Sequence, residues 1–171
     1  AADGQRVSEG ARRGAAGPDG SLYVAESSRV RRIGPDGIIS TVAGTGVGGY
    51  CGDGGKATEA QIWSHGGIGV GDDNTLYISS QYIVRRVGQD GIITSAAGTG
   101  EGGYSGDGGP SRSAKIAINS ITVAPDGSLF FTDPNYQYVR QVGAGMPGFS
   151  GDDIALASED GSRVYQFDRS G

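Results

Sequence analysis

Short runs of β-prone residues, each bounded by glycine, proline, serine or aspartate, recur along the chain. Leu22-Tyr23-Val24-Ala25 and Val30-Arg31-Arg32-Ile33 are separated by the turn residues Ser27-Ser28, and Gly34-Pro35-Asp36-Gly37 leads into Ile38-Ile39-Ser40-Thr41-Val42-Ala43. Strands this short, joined by turns this tight, predict an antiparallel meander. A glycine-rich stretch from Gly44 to Ser64 follows, in which Ala57–Ile62 is expected to make one helical turn. Ile68-Gly69-Val70 is a fourth kind of strand, and Gly71-Asp72-Asp73-Asn74 leads back to a Leu-Tyr-Ile run.

The same pattern then returns. Leu22–Gly55 reappears as Leu76–Gly109 without insertion, every matched pair 54 positions apart. A third unit opens with Ile121-Thr122-Val123-Ala124 and continues through Leu129-Phe130-Phe131 and Tyr138–Val142. There the pattern shortens: no Asp-Gly-Ile-Ile strand follows, and Pro147–Asp152 is a reduced form of the glycine loop. Ile154–Ala157 and Val164–Phe167 begin a fourth unit. Four-stranded antiparallel units at a period near 50 residues predict an all-β fold, a β-propeller whose blades cover one another's apolar faces. The expected units are about 18–65, 66–119 and 120–153, with a stub at 154–171, so about three blades are present. Residues 1–17 are expected to be a leader or a degraded first strand, because Gly14-Ala15-Ala16-Gly17 stands where an apolar inner strand belongs.

Composition narrows the function. The 34 glycines show no every-third-residue period and fall in repeated clusters, which is turn chemistry rather than a collagen pattern. A net charge of −5 argues against a phosphate-binding surface and so against a nucleic-acid partner. Cys51 is the single cysteine and takes the place of Ser105 in the second unit, so no internal disulfide is expected and the residue reads as a loop position. No apolar run reaches the roughly 18 residues of a membrane-spanning helix. The opening AADGQRVSEGARRG lacks the apolar core of a signal peptide.

The strings Pro18–Ala25, Val30–Ile33 and Gly106–Pro110 resemble NHL repeats, and Ile39–Gly55 and Ile93–Gly109 are similar to the NHL region of bacterial Rhs/YD-repeat proteins and their teneurin relatives. The tail Ser158–Gly171 is similar to the junction at which the YD-repeat shell of those proteins begins. The resemblance covers about 17–171. It implies an extracellular or cell-surface setting, a non-catalytic scaffold role, and a propeller that commonly has six blades. Two chains of three blades would close such a ring, so the resemblance also implies a homodimer through blade edges, or else another protein as partner.

Candidate residues sit at equivalent places in the units. Asp53, Asp107 and Asp152 occupy the Gly-Asp-Gly loops, either capping their own loop backbone or gathering carboxylates for Ca²⁺. Arg31 and Arg85 are equivalent, with Arg140 after them. Successive strand residues point to opposite faces, so each Arg-Arg pair offers one arginine per face, for ion pairs between blades or for an exposed contact surface. Tyr50, Tyr104 and Phe149 recur in the loops, either pinning them or offering a contact surface. Tyr23, Tyr77 and Phe131 are expected at one common strand position, packing between blades. His65 is the single histidine and cannot build the multi-histidine metal site of NHL-type lyases. A lactonase- or lyase-like alternative, with a metal in a central channel, would draw on residues such as Asn119.

Overall fold

A computed structural model describes residues 13–133 and 135–143, together with the strands Ile154–Ala157 and Val164–Phe167. Strands β1 (Arg13–Ala16), β2 (Leu22–Ala25), β3 (Val30–Ile33) and β4 (Ile39–Ala43) form one antiparallel sheet in sequence order. Strands β5 (Gly67–Val70), β6 (Leu76–Ser79), β7 (Val84–Val87) and β8 (Ile93–Ala97) form a second. In the third, β9 (Ser120–Val123), β10 (Leu129–Asp133) and β11 (Tyr138–Val142) are joined, and among the described residues no fourth strand pairs with them. Strands β12 (Ile154–Ala157) and β13 (Val164–Phe167) make a separate pair. The fold is all-β and propeller-like, with a partial set of blades.

The first blade contains more than its sequence promised. Arg13–Ala16 pairs with β2 in full register despite its small side chains. Pairing needs only main-chain donors and acceptors, which glycine and alanine supply as well as valine does.

The tight turns have a common cause. In Asp19–Ser21, Asp36–Ile38, Asp73–Thr75, Asp90–Ile92 and Asp126–Ser128 the carboxylate accepts the amide N–H two residues on, at 2.9–3.0 Å. The residue between takes a positive φ: glycine in four of them and Asn74, at 61°, in the other.

The blades meet face to face. Tyr23, Ala25, Val30 and Ala43 of the first blade, with Ala57, Ala60 and Ile62 of its loop, pack on Ile68, Leu76, Ile78, Val87 and Ile93 of the second. Val84 and Ala97 of the second blade, with Ala114, Ile116 and Ile118 of its loop, pack on Ile121, Leu129 and Phe131 of the third. Each crossover loop therefore lies in the seam it spans. Each contains a single 3-10 turn, Ala57–Glu59 or Ser111–Ser113, in place of the helical turn expected.

These seams correct one alignment. Anchored on the aspartates of the turns, the interval from Asp73 to Asp126 is 53 residues, one shorter than the 54 from Asp19 to Asp73, the residue being lost before β9. The residue equivalent to Tyr23 and Tyr77 is therefore Phe130, while Phe131 is the counterpart of Val24 and Ile78. Tyr23 and Tyr77 face the following blade, and Phe131 faces the preceding one.

Candidate functional site: latches between blades and a tyrosine rim

The glycine loop leaves the outer strand at Gly44 in the first unit and Gly98 in the second. Both have φ of 88°, and a side chain there would collide with the carbonyl of Ser28 or Tyr82. Only glycine meets both demands. The loop then crosses to the next blade. Gly54 N–H donates to the Ile93 carbonyl at 2.8 Å, Ile93 N–H donates to the Gly55 carbonyl at 3.0 Å, and Ala57 N–H donates to the Gly91 carbonyl at 2.8 Å. These bonds hold Asp53 over the face of the second blade.

Asp53 does not cap its own loop, contrary to the sequence expectation. One carboxylate oxygen accepts the Ser95 N–H at 2.8 Å and the Ser95 hydroxyl at 2.6 Å. The other lies 2.6 Å from Arg85 Nη2. No acceptor meets Arg85 Nε or Nη2 at hydrogen-bonding angles, so this contact is an ion pair rather than a directed bond. Arg85 is 1% exposed, which removes it from the candidate contact surface and makes it part of the seam. Burial pushes the Asp53 pKa up, but the Ser95 hydroxyl and the Arg85 charge outweigh it, and the net shift is downward.

Asp107 repeats the gesture toward the third blade. It pairs with Arg140 Nη2, and the Tyr104 hydroxyl donates to its other oxygen at 2.7 Å. Arg140 also donates to the carbonyls of Lys115, at 2.9 Å, and Ser105, at 3.0 Å. The Tyr104 hydroxyl is the largest cause of the lowered Asp107 pKa, with Arg140 adding to it against a smaller effect of burial. The Tyr104 pKa is raised in turn, first by that hydrogen bond.

Ser95 escaped the sequence reading. The signal was present: Ser95 stands opposite Arg85 across β8 and β7, as Thr41 stands opposite Arg31 across β4 and β3. Both pairs sit beside a register shift, between Val30 and Arg31 and between Val84 and Arg85. Such a bulge re-aims the side chains beside it.

The other candidates fall in different places. Arg31 is half-buried on the first blade, on a face that no other described element packs against. Tyr50 is exposed. Tyr104 lies 5.3 Å from both Tyr136 and Tyr138, with the Arg140 guanidinium 5.0 Å from its ring centre. Tyr104, Tyr136 and Tyr138 are exposed and form an aromatic rim where the second unit's loop meets the third blade; Val139, also exposed, follows Tyr138 on β11. Trp63 stacks on His65 at 4.9 Å. Arg13 reaches Asn119 across the inner strands, at 3.5 Å. Asp152 and Phe149 lie outside the described residues. Among the described residues, no three His, Cys, Asp or Glu side chains come together as a metal cluster. The arginine beside Asp53 and the one beside Asp107 hold the position that a cation would take.

These sheets and crossover loops make a partial β-propeller. Residues 46–103, from the first glycine loop into the second, match the Teneurin NHL domain family. Teneurin-3 of Danio rerio is 33% identical over 97 residues, 48% of this chain and 4% of that protein. Teneurin-4 of Mus musculus is 43% identical over 51 residues, 30% of this chain and 2% of that protein. The chain thus spans a few per cent of the length of these relatives. Among solved structures, a Bacteroides thetaiotaomicron protein of unknown function superposes with a TM-score of 0.56 at 23% identity, covering 73% of this chain and 32% of its own. The gluconolactonase XC5397 of Xanthomonas campestris superposes with a TM-score of 0.50 at 17% identity, covering 93% of this chain and 54% of its own. At these identities the two structures speak for the fold alone. No helix among the described residues is long and apolar enough to cross a membrane.

Proposed function

We propose that the chain is a non-catalytic scaffold and protein-interaction module, part of or derived from a larger Rhs-like surface or toxin protein. The observation that carries this is the division of labour among its side chains. Of the charged groups that repeat from unit to unit, Asp53, Arg85, Asp107 and Arg140 are engaged in joining blades. The prominent exposed feature is the cluster of Tyr104, Tyr136 and Tyr138, with exposed Val139 next to it on β11. Aromatic side chains offer large contact area at small entropic cost, which suits protein recognition. Among the described residues β11 is also an edge strand, with main-chain groups that a partner strand could pair. Self-association through this edge is the partner reading that fits best.

Light scattering from 1 to 100 μM (roughly the range in which such edges associate) tests it. The expected result is a concentration-dependent dimer that Val139→Lys weakens. A monomer throughout rejects self-association. The non-catalytic part is tested separately by following lactone hydrolysis with and without millimolar Ca²⁺: turnover that requires the metal rejects it in favour of a lactonase-like enzyme.

A further inference from the structure

We infer that Tyr104 is a site of oxidative cross-linking. A one-electron oxidant of the haem-peroxidase class joins its ring to that of Tyr136 or Tyr138 as a dityrosine, and the second unit's loop is thereby fastened to the third blade within one chain. The three rings are those read above as a contact surface, and their coupling needs no partner bound there.

A departure from the repeat brings the rings together. In the first two units the chain runs seven residues from Val24 to its cross-strand neighbour Arg31, and from Ile78 to Arg85; in the third it takes nine from Phe131 to Arg140. The longer turn is held in place. Asp133 Oδ1 accepts the N–H of Asn135 at 2.9 Å and of Tyr136 at 3.2 Å, and the Gln137 N–H donates to the Asp133 carbonyl at 3.0 Å. Tyr136 stands on this turn and Tyr138 opens β11. Both meet Tyr104 with ring centroids 5.3 Å away, tilted by 44° and 36°. All three are exposed, and so open to an oxidant in solution. Holding two reacting rings in contact turns an encounter between molecules into a step within one.

The surroundings of Tyr104 supply the proton chemistry. Its hydroxyl donates to Asp107 Oδ2 at 2.7 Å. A phenol that loses an electron becomes a strong acid, and a carboxylate within hydrogen-bonding distance takes its proton as the electron leaves. The Arg140 guanidinium, 5.0 Å from the ring centre, opposes a positive charge on the ring, so the two departures are coupled. Asp107 is itself exposed and passes the proton on to water. In the first unit the equivalent carboxylate is engaged otherwise, by Ser95 and Arg85, which sets Tyr104 apart from Tyr50. In the coupling, two tyrosines each give up one electron to the oxidant and one hydroxyl proton, that of Tyr104 to Asp107 and the other to water. The two phenoxyl radicals form one bond between ring carbons ortho to the hydroxyls. The hydrogens on those carbons then move to the oxygens and restore both phenols. The chain loses two hydrogens, and one hydrogen peroxide takes up the two electrons and two protons to become two waters.

The test treats the full chain with a haem peroxidase and hydrogen peroxide. Cys51→Ser, which copies Ser105 of the second unit, serves as the parent and removes competition from the exposed thiol. Dityrosine fluorescence follows the reaction, and peptide mass mapping locates the bond. The expected product is a single chain lighter by two hydrogens, with Tyr104 joined to Tyr136 or Tyr138. Tyr104→Phe should lower the yield at least about tenfold, and Tyr50→Phe should leave it unchanged. Asp107→Asn should slow coupling at least about tenfold, and Asp107→Glu should restore most of the rate. The cross-linked chain should show an unfolding constant lowered at least about thirtyfold, because the bond restricts the unfolded chain as a disulfide does. Coupling that survives Tyr104→Phe, a bond that omits Tyr104, or products formed only between chains would each overturn the inference. So would equal rates for Asp107→Asn and its parent, or an unfolding constant that the bond leaves unchanged. A Val139-dependent dimer is measured without oxidant, so the scaffold reading stands or falls separately.

Discussion

The second and third blades hold the preceding loop with the same pair of residues but in different surroundings. On the second blade, Asp53 meets Arg85 and the outer strand β8 closes over the contact: Ser95 binds the carboxylate and Ile93 binds the loop backbone. On the third blade no outer strand among the described residues pairs with β11, and Asp107 is 57% exposed where Asp53 is 36% exposed. Tyr104 takes over the role of the missing serine, and Arg140 turns two of its donors to main-chain carbonyls. One ion pair thus serves as a buried joint in one seam and as a rim contact in the other. The strand beside it decides which.

The largest difference should appear on removing the acid. Asp53→Ala strands a buried guanidinium and is expected to cost about 3 kcal/mol. Asp107→Ala leaves Arg140 bonded to Lys115 and Ser105 and is expected to cost about 1 kcal/mol or less, as for an exposed pair. Chemical denaturation of both variants measures this gap, and equal losses would erase the distinction between the seams. Ser95→Ala should cost about 1.5 kcal/mol, the value of a hydrogen bond to a charged group, with no counterpart in the third blade.

The smallest effect is a pH effect. Asp53 and Asp107 both have folded pKa values below the unfolded carboxylate value of about 3.9. Their contribution is complete above that unfolded value and is lost as pH falls through the lowered folded ones. Tyr104→Phe removes the largest cause of the Asp107 shift. It should bring the titration of Asp107, followed by carboxylate NMR, back toward the unfolded value while leaving that of Asp53 in place. A shift of both together would show that the seams are coupled.

Much of this was legible in the chain. The aspartate-glycine turns and the alternating apolar runs marked the strands because both depend on local geometry. Two features were not legible for the same reason: they depend on what faces a residue from another blade. Asp53 and Asp107 looked like loop caps because a sequence shows near neighbours, and their arginine partners lie 32 and 33 residues away. For Arg85 the ion pair between blades was one of the readings open in the sequence; what the sequence did not show was its near-complete burial. The strand β1 was obscured by its composition, since glycine and alanine carry the main-chain ladder without announcing it. The one-residue shortening that moves Phe130 into register with Tyr77 was hidden by a run of two phenylalanines.

The latch also has a sense of direction. In both seams the loop of the earlier unit supplies the acid and the later unit supplies the base. The second unit accordingly has two unlike faces: Arg85 receives the aspartate of the first unit's loop, and its own loop carries Asp107 forward to Arg140.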